Sequence, residues 1–496
     1  MDLQTVFKDV PSIERWGNPG VGITSIEYDS RRVKPGALFF ALPGAKVDGG
    51  AFIARAIEAG AAGIVAARAP ETVRTDLGWV RVADPRAVLG RVAANFYGWP
   101  SRDLKVAGVT GTNGKTTTAF LVQHLNRAAL RGCGLIGTVR HETGARVIDA
   151  ANTTPESADL QSMLAEMRDH GCRAAVMEVS SIGLDQHRVN GVEFDVGIFT
   201  NLTRDHLDYH GTMEAYFQAK RKLLLHLAAQ AEVAAKKPVM VINGDDPYGQ
   251  RLLKDQFDGV KLVSFGFGAR NDYRAANFHP GFEGTTFQLE TGGRQILVRL
   301  PLIGRFNVAN AVGALAAVQA MGLNLREAVA HLAEAPQVPG RMEDVGEKMP
   351  FRVFVDYAHT PDALEKACAT LRELKPGRLI TVFGCGGDRD RTKRPLMAET
   401  ASRSSDLVIL TSDNPRTEDP ERILDDAAAG LRGGPAERIT DRREAIRRAI
   451  GLAQPRDIVL IAGKGHETYQ QIGETKFDFD DRQEARFAIR DLRYEI

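Results

Sequence analysis

The sequence predicts an α/β protein of three domains, with mostly parallel sheets in the central and C-terminal domains. Short apolar or β-branched runs alternate with helical stretches, which is typical of βα units. The length of 496 residues corresponds to about three domains of about 100–200 residues each. Two segments that combine Pro, Gly and polar residues, 95–105 and 334–350, are typical of domain junctions. We therefore expect domains at residues 1–99, 100–336 and 337–496.

Strand candidates occur in each of these parts. The first part contains ALFFAL, GIVAA and GWVRVA, and the central part contains KVAGVT, RAAVMEV, DVGIFTN and PVMVING. A hairpin is predicted for TTFQLETGGRQILVRL, with its turn at Gly292 and Gly293. The last part contains RVFVDY, LITVFG, DLVILTS and DIVLIAG. If these last four strands are parallel neighbours, their ends meet at one sheet edge, where open α/β sheets bind ligands.

Composition excludes several classes of protein. Hydrophobic residues make up 43% and charged residues 26% of the chain, which is ordinary for a soluble globular protein. The 64 basic and 63 acidic residues leave a net charge of +1, which gives no argument for a nucleic-acid or membrane partner. The cysteines are far apart without a CxxC pair, so neither a disulfide framework nor a zinc site is expected. With no signal-like N-terminus and no long apolar run, we expect a cytoplasmic protein without membrane insertion.

Residues 108–118, GVTGTNGKTTT, resemble a phosphate-binding loop whose glycines miss the standard spacing, because Val109 stands where the first glycine belongs. The loop follows a strand and precedes a helical stretch, which is the context that phosphate binding requires. Lys115 would meet the outer phosphates, Thr116 would offer its hydroxyl to Mg²⁺, and Gly111 would be the turn glycine. The alternative is a tight strand–helix turn without a ligand.

Acidic and histidine side chains follow two of the central strands. Glu178 ends an apolar strand and is a candidate ligand of Mg²⁺, although a solvent-exposed glutamate is the alternative. A second strand is followed by Asp205, His206, Asp208 and His210. A cluster at a strand end beside a phosphate loop favours a metal or phosphate role over a structural one.

GTNGKTT, EVSS, TRDHLDYHG and AYFQAKRKLL together resemble the Mur ligases, ATP-dependent amino-acid ligases of bacterial cell-wall precursor synthesis that are related to folylpolyglutamate synthetase. The loop variant GTNGKT is typical of that superfamily. The resemblance continues over the whole chain, in YDSRRVKPGALFFALPGAKVDGGAFI, NTTPES, SSIGLDQHRV, GRFNVANAVGA, PGRME, DYAHTPDAL, GCGGDRDRTKRPLM, SDNPRTEDP and GKGHE. It implies a uridine-nucleotide-binding N-terminal domain, a P-loop ATPase domain and a Rossmann-like C-terminal domain.

The resemblance is most specific to the diaminopimelate-adding members, and it implies their reaction. The D-glutamyl carboxylate of UDP-MurNAc-L-Ala-D-Glu attacks the γ-phosphate of ATP, giving an acyl phosphate and ADP. An amino group of meso-2,6-diaminopimelate then displaces phosphate. The implied partners are these three small molecules, the implied cofactors are two Mg²⁺ ions, and we expect a monomer.

The resemblance also implies roles for individual residues. The catalytic set is Lys115, His206, Lys220 and Arg341. ATP would bind to Gly111, Thr112, Asn113, Gly114, Lys115, Thr116, Thr117, Asn310 and Asp356. One Mg²⁺ would bind Thr116 and Glu178, and the second would bind His206 and Lys220. Lys220 would do so as a carbamate formed with CO₂ (N6-carboxylysine), whereas a plain interpretation makes it a solvated helix lysine.

Two further sets of residues would bind the other substrates. The uridine-nucleotide substrate would contact Tyr28, Ser30, Ala45, Lys46, Val47, Asn152, Thr153, Thr154, Ser180, Gln186 and Arg188. Diaminopimelate would contact Arg389, Asp413, Asn414, Pro415, Arg416, Gly463 and Glu467. Arg416 would distinguish diaminopimelate from lysine, because a guanidinium fork binds the extra carboxylate. A turn around Asn414 and Pro415 with a surface arginine is the alternative. Asn307, one turn before Asn310, would face the nucleotide or lie on an ordinary helix face.

Three other functions stay open from the sequence. A phosphotransferase would use the same loop without an amino-acid site. A nucleotide-switch protein usually carries an NKxD element, which is absent from this sequence. A Mur ligase that adds lysine, or a folate-type amide ligase, would depart from the DNPR segment at 413–416.

Overall fold

The computed structural model describes residues 1–44, 48–129, 132–233, 235–346 and 349–494. The chain forms two compact units. The first comprises Met1–Ala275, Leu289–Ile296 and Ala309–Leu332, and the second comprises Ala276–Gln288, Leu297–Val308 and Ala333–Ile496. The expected domain boundaries near residues 99 and 336 stay predictions. In the described part of the chain, no helix is both long enough and apolar enough to span a bilayer.

A five-stranded sheet in the order β1-β5-β4-β3-β2 begins the first unit. Its strands are β1 (Glu14–Gly17), β2 (Ser25–Glu27), β3 (Ala37–Phe40), β4 (Gly63–Ala66) and β5 (Gly78–Arg81), and its helices are α1 (Leu3–Val6), α2 (Ile53–Glu58) and α3 (Pro85–Tyr97). Strands β2 to β5 are parallel and β1 is antiparallel. Their apolar side chains form buried clusters with α1, α2 and α3.

An eleven-stranded sheet follows, in the order β16-β15-β14-β13-β12-β11-β6-β10-β7-β8-β9. Its strands are β6 (Lys105–Thr110), β7 (Cys133–Ile136), β8 (Arg140–Glu142), β9 (Val147–Asp149), β10 (Ala174–Glu178), β11 (Val196–Phe199), β12 (Val239–Asn243), β13 (Lys261–Gly266), β14 (Tyr273–Gly281), β15 (Gly284–Thr291) and β16 (Arg294–Leu300). The helices are α4 (Lys115–Ala128), α5 (Ser157–Asp169), α6 (Ser181–Asp185), α7 (Leu207–His210), α8 (Met213–Val233), α9 (Pro247–Leu252), α10 (Arg305–Ala320) and α11 (Leu325–Leu332). The predicted hairpin is confirmed, because β15 and β16 flank Gly292 and Gly293, which both have positive φ.

The central strands of this sheet bring three strand ends together. Strands β7, β10, β6, β11 and β12 are parallel neighbours. Glu178 at the end of β10 pairs in register with Val109 of β6, and Phe199 at the end of β11 pairs with Thr110. The phosphate loop, Glu178 and the segment after β11 therefore lie at one edge of the sheet.

The second unit contains a six-stranded sheet in the order β17-β18-β22-β19-β20-β21. Its strands are β17 (Glu343–Asp344), β18 (Arg352–Asp356), β19 (Leu379–Cys385), β20 (Leu407–Ser412), β21 (Ala436–Arg438) and β22 (Ile458–Ala462), followed by the hairpin β23 (Tyr469–Ile472) and β24 (Thr475–Asp478). The helices are α12 (Pro361–Glu373), α13 (Lys393–Ser404), α14 (Pro420–Ala428), α15 (Arg442–Leu452) and α16 (Asp481–Tyr494).

The four predicted C-terminal strands, β18, β22, β19 and β20, are parallel neighbours, as expected. Helices α12, α13 and α14 share one apolar core with the sheet, and α15 and α16 share a second one. The sheet is thus covered on both faces, and its strands leave their polar ends along one edge.

Candidate active site

The phosphate loop needs glycine at two positions for different steric reasons. Gly111 has a φ of +149°, and a Cβ there would lie 1.9 Å from Thr200 Oγ1. Gly114 adopts the left-handed conformation at the start of α4, and its Cβ would lie 2.3 Å from Asn310 Oδ1. Val109, by contrast, is a buried residue of β6. The expectation that Gly111 forms the turn is confirmed, and Asn310 lies against the loop, while its role in ATP binding stays a prediction.

Hydrogen bonds fasten this loop to the segment that follows β11. The Thr112 amide donates to Asn201 O over 2.9 Å, and the Thr112 hydroxyl donates to Thr203 O over 3.2 Å. The Asn113 amide donates to Asn201 Oδ1 over 2.9 Å, while Thr200 Oγ1 donates to Asn113 O over 2.6 Å. The segment that leads to Asp205 and His206 is therefore held directly against the loop.

Thr116 and Glu178, the pair expected at one magnesium ion, contact each other. Glu178 is 1% exposed and accepts from Thr116 Oγ1 over 3.1 Å. Its carboxylate also accepts from the Thr138 amide and hydroxyl, over 2.8 and 3.0 Å. The alternative of a solvent-exposed glutamate is therefore wrong. Oxygen atoms from carboxylate and hydroxyl groups, as in this pair, are the ligands that Mg²⁺ prefers.

Lys220 is buried, and the alternative of a solvated helix lysine is wrong. It is 1% exposed on α8, and its ammonium donates to Gly111 O over 2.7 Å. Lys115 donates to the same carbonyl oxygen and to Thr112 O, each over 2.9 Å. Burial lowers the pKa of the Lys220 amine well below its usual value, and the Lys115 charge lowers it further, against a smaller opposite effect of Asp205. The amine is thus poised to lose its proton.

Tyr216 lies at the centre of the groups around Lys220. The Lys220 Nζ atom is 4.6 Å from the centre of its ring, and its hydroxyl lies 3.2 Å from Thr112 Oγ1. The ring stacks on His210 with centroids 5.0 Å apart and meets the edge of His206 at 6.1 Å. Burial lowers the pKa of His210, whose Nε2 lies 2.9 Å from Ser181 Oγ. His206, His210 and the buried Lys220 therefore all contact the ring of Tyr216.

The groups expected at the second magnesium ion are less closely assembled. The His206 side chain is about half exposed, 49%, and its Nε2 lies 3.5 Å from Asp205 Oδ2. Among the described residues, no group of three or more His, Cys, Asp and Glu side chains is arranged as a metal site. Asp208 and His210 lie in the short helix α7, which begins directly after His206.

Five of the eleven residues expected to bind the uridine-nucleotide substrate lie around the short helix α6. Thr154 Oγ1 donates to Glu178 O over 2.9 Å and accepts from the Ser180 amide over 3.0 Å, and Ser180 caps α6. Arg188 donates to Thr154 O over 2.9 Å and to Gln186 Oε1 over 2.8 Å. Thr153 Oγ1 is 3.0 Å from Thr138 Oγ1. These side chains form one hydrogen-bonded network beside Glu178.

Other residues of that set are placed differently. Ser30 is buried and Asn152 is exposed. The Tyr28 hydroxyl donates to Asp159 of α5, which also pairs with Arg32 over 3.0 Å. Ala45, Lys46 and Val47 lie outside the described residues.

In the second unit, Asp356 and Arg341 flank Tyr357. Asp356 accepts from the Met342 and Ala358 amides, over 2.7 and 2.9 Å. Burial raises the pKa of this carboxyl, partly opposed by Arg341 and the two amides. The Arg341 guanidinium stacks 4.7 Å from the centre of the Tyr357 ring. Asn307, which was expected to face the nucleotide or an ordinary helix surface, is buried and donates to Ile303 O over 2.9 Å.

Two arginines expected to bind diaminopimelate flank one glycine in the loop after β19. A Cβ at Gly386 would lie 3.0 Å from Arg416 Nη1 and 3.8 Å from Arg389 Cγ. Arg416 has a positive φ of 51° and donates to Gly387 O over 2.6 Å. Arg389 is exposed. Two guanidinium groups at a sheet edge are suited to a ligand with carboxylates.

Acidic and amide groups from the neighbouring strand ends lie beside them. Asn414 Nδ2 donates to Glu467 Oε2 over 2.9 Å. The fully buried Lys464 ammonium donates to Asn414 Oδ1 over 3.1 Å and to Glu467 Oε2 over 3.3 Å, and lies 3.9 Å from Asp413 Oδ1. A Cβ at Gly463 would lie 2.7 Å from Asp413 Oδ2, so this carboxylate rests against the glycine backbone. The loops after β20 and β22 thus bring together four of the expected residues, Asp413, Asn414, Gly463 and Glu467.

Comparison with known families matches three consecutive models to this chain. They describe the Mur ligase family catalytic domain (residues 22–97), the Mur ligase middle domain (109–318) and the Mur ligase glutamate ligase domain (340–465). A protein of Geobacillus thermodenitrificans named UDP-N-acetylmuramoyl-L-alanyl-D-glutamate–2,6-diaminopimelate ligase is 46% identical, covering 99% of this chain and 100% of that protein. The chain belongs to the Mur ligase family.

Solved structures agree with this Mur ligase assignment. A structure with the same ligase name is 35% identical, with a TM-score of 0.72 and 99% of each chain covered. A structure of the MurF ligase from Thermotoga maritima in complex with ADP has a TM-score of 0.65 at 19% identity, covering 95% of this chain and 98% of that one, and shows the shared fold alone. The three-domain α/β architecture of the Mur ligases is thereby confirmed.

Several residues of this Mur ligase site were missed from the sequence. Tyr216 lies one helical turn before Lys220, so the spacing of four residues was the available signal. Thr138 follows strand β7, beside the strand that ends at Glu178, and Lys464 lies inside the GKGHE motif. Thr200 and Thr203 carried no signal, since their contacts with the phosphate loop depend on the pairing of β11 with β6.

Proposed function

We propose that this protein is an ATP-dependent, ADP-forming ligase that joins meso-2,6-diaminopimelate to the D-glutamyl carboxylate of UDP-MurNAc-L-Ala-D-Glu, as a step of peptidoglycan precursor synthesis. The observation that carries the proposal is the pair Arg389 and Arg416 beside Asp413 and Glu467, in a chain whose relative of full length has that activity in its name. Diaminopimelate has two carboxylates and two ammonium groups, which these four charged side chains complement.

The phosphate loop supports the binding of ATP. The first turn of α4 offers free backbone N–H groups and the positive end of the helix dipole to the phosphates. Lys115 lies beside the loop, and we propose that its ammonium leaves Gly111 O and Thr112 O to contact the outer phosphates. Thr116 and Glu178 fit a hard divalent cation, because Glu178 is a buried carboxylate that accepts from the Thr116 and Thr138 hydroxyls and the Thr138 amide. Mg²⁺ bound there would neutralise phosphate charge.

Burial of Lys220 supports its proposed carbamylation. In this reaction the neutral amine attacks the carbon of CO₂, a C–N bond forms and the nitrogen loses one proton, which gives an anionic carbamate. Only the neutral amine is a nucleophile, and the lowered pKa of Lys220 supplies it. The carbamate would then provide oxygen atoms for the second Mg²⁺, together with His206.

The proposed chemistry has two steps. The D-glutamyl carboxylate attacks the γ-phosphorus of ATP, the bond to the bridging oxygen breaks, and ADP leaves. The amino group of diaminopimelate, after loss of a proton, attacks the acyl carbon and phosphate leaves. Both steps bring anions together, so positioning and cationic stabilisation by groups such as Lys115 and Arg341 would contribute most.

The remaining proposals concern the setting of the enzyme. We propose that it acts in the cytoplasm, where its nucleotide substrates occur, and that it acts as a monomer without a nucleic-acid partner. Size-exclusion chromatography with light scattering tests the monomer, and a dimer mass would contradict it.

The experiment that tests the proposed function measures ADP release and product mass with purified protein, ATP, Mg²⁺, UDP-MurNAc-L-Ala-D-Glu and diaminopimelate. We expect ADP release only when both acceptor and amino acid are present. ADP release without the amino acid would favour a phosphotransferase. Equal rates with lysine in place of diaminopimelate would favour a lysine-adding ligase.

A further inference from the structure

A fully buried ion pair lies directly beneath the acidic side of the diaminopimelate site. Arg442 and Asp481 are both 0% exposed at their side chains, and Arg442 Nε and Nη2 each donate to the Asp481 carboxylate over 2.7 Å. The two residues are the first residues of α15 and α16. Both helices pack on the same face of the C-terminal sheet. The pair therefore joins two helix starts under the edge that carries the site.

Arg442 also holds the ends of two strands that are not neighbours. Its Nη1 donates to Ser412 O over 3.3 Å, and its Nη2 donates to Ala462 O over 3.0 Å. Ser412 ends β20 and Ala462 ends β22, and β19 runs between these strands. One guanidinium thus fixes two strand ends across an intervening strand, which a single ladder of sheet hydrogen bonds does not do.

The residues that follow these strand ends are those proposed to bind the amino acid. Asp413 comes directly after Ser412, and Gly463 comes directly after Ala462. The Asp413 carboxylate rests against Gly463, so the distance between the two strand ends decides where that carboxylate points. The same two loops carry Asn414 and Glu467, whose side chains contact each other.

General energetics make stability a poor explanation for this pair. Replacing a buried ion pair by apolar residues of similar volume is often neutral or stabilising, because desolvation offsets the attraction between the charges. In addition, a cation in the first turn of a helix opposes the helix dipole, which favours anions there. Arg442 occupies that position in α15, from which its guanidinium reaches both carbonyl groups and Asp481.

We infer that Arg442, held by Asp481, is a positioning residue that sets the spacing of Asp413 and Glu467 for the ammonium groups of the amino-acid substrate. The inference rests on the proposed function, since it concerns the same site. It predicts that the exact fork of Arg442 matters for the affinity of the amino acid and not for that of ATP.

The test compares kinetic constants of Arg442→Lys with those of a matched variant. Lysine keeps the charge but is a point donor that cannot bridge both carbonyls and Asp481. The variant loses hydrogen bonds that the charged guanidinium makes. We therefore expect the KM for diaminopimelate to rise by about tenfold to hundredfold and the KM for ATP to stay unchanged. The control is Arg378→Lys, because Arg378 pairs with the buried Asp457 at the opposite ends of β19 and β22. We expect the control to leave the KM for diaminopimelate unchanged.

A double variant, Arg442→Met with Asp481→Leu, separates positioning from folding. It removes both charges together, so no unpaired charge is left in the core. We expect a thermal midpoint close to that of the wild type and a KM for diaminopimelate raised as in Arg442→Lys. An unchanged KM in either Arg442 variant, or equal changes in the KM for ATP and for diaminopimelate, would overturn the inference. A wild-type protein that releases no ADP with diaminopimelate would instead overturn the proposed function, and this inference with it.

Discussion

Two fully buried lysines in this Mur ligase have opposite surroundings. Lys220 is 1% exposed and Lys464 is 0% exposed. In the described part of the chain no carboxylate forms an ion pair with Lys220, whose ammonium contacts a carbonyl oxygen and faces the Lys115 charge. Lys464 lies within 3.3 Å of Glu467 and 3.9 Å of Asp413. Lys220 therefore faces another cation, whereas Lys464 lies beside two carboxylates.

The difference between the two sites shows that the charged groups next to a buried lysine determine its role. Burial alone disfavours the ammonium form, and an adjacent carboxylate restores it. The proposed carbamylation of Lys220 would use an amine that faces another cation, which suits a region proposed to transfer phosphate. A paired ammonium keeps two acidic side chains in place, which suits a binding region. Variants near Lys220 should therefore change the rate of catalysis, whereas variants near Lys464 should change affinity and stability.

The largest effect is expected for Lys220→Ala. Without the proposed carbamate, ligation should fall by a factor of about 1,000 or more, since charge stabilisation at the transferring phosphate contributes about this much. Addition of acetate, which supplies a carboxylate in the space left by the side chain, should restore part of the activity. The measurement is steady-state ADP release, with and without acetate.

The matched control for that variant is Lys254→Ala, which removes an exposed lysine in the same unit. It should retain wild-type activity. A Lys220→Ala enzyme that is as active as this control would contradict the proposed role of the carbamate.

Lys464→Met should destabilise the second unit. Removing one partner of a buried ion pair costs about 3–5 kcal/mol, because Glu467 and Asp413 are left without their counter-charge. Urea unfolding of the variant and the wild type measures the difference. The control is Lys366→Met, which breaks a half-exposed ion pair with Asp362 on α12 and should cost less than about 1 kcal/mol. Equal losses in both variants would mean that Lys464 is not a paired ammonium.

Arg416→Ala should selectively weaken the binding of diaminopimelate. The expected rise in the KM for diaminopimelate is about tenfold to hundredfold, because an Arg–carboxylate contact is charge-assisted. The KM for ATP should stay the same, and the preference for diaminopimelate over lysine should decrease. Arg403→Ala, which removes an exposed arginine of α13 paired with Glu365, serves as the control. A parallel rise in the KM for ATP would count against the assignment of Arg416.

The smallest effect is expected for the stability of Lys220→Met. It is a gain, whereas the variants above lose activity, stability or affinity. Lys220 donates to Gly111 O but has no ion-pair partner in the described part of the chain. Replacing it by an apolar side chain of similar shape removes a desolvation penalty of about 1–3 kcal/mol, so this variant should be the more stable protein. Gly111 O keeps Lys115 as a donor. The experiment uses CO₂-free buffer, in which the wild-type amine is not carbamylated.

The pH dependence of this gain follows from the lowered pKa of Lys220. Between its folded-state pKa and the unfolded value of about 10.4, the unfolded chain binds more protons, so wild-type stability rises with pH. The advantage of Lys220→Met should therefore shrink as the pH approaches that value. A difference in unfolding free energy between Lys220→Met and the wild type that grows with pH would show that Lys220 is charged in the folded protein.

Much of the fold was predictable because the apolar runs are short, β-branched and end in polar or glycine residues. All four C-terminal strands followed from this pattern, and the condition that they are parallel neighbours, which the structure meets, places Asp413, Arg416 and Glu467 at one edge. The contact between Thr116 and Glu178 was predictable for the same reason, since both follow adjacent parallel strands.

Burial at particular residues could not be predicted from the sequence. Lys220 and an exposed helix lysine have the same local sequence pattern, and only the packing of α8 against the phosphate loop distinguishes them. Arg442 likewise lies in an arginine-rich helical stretch, a pattern typical of a solvated surface. It is buried because the ends of β20 and β22 and the start of α16 contact its side chain. Contacts between segments distant in sequence decide both cases.

The most direct test of the account is a competition between amino acids. The purified protein is supplied with ATP, Mg²⁺, UDP-MurNAc-L-Ala-D-Glu and equal concentrations of meso-diaminopimelate and lysine, and the products are identified by mass spectrometry. The account predicts the diaminopimelate-containing product almost alone, formed with one ADP for each ligation. A mixture of both products, a lysine product alone, or ADP without ligated product would contradict it.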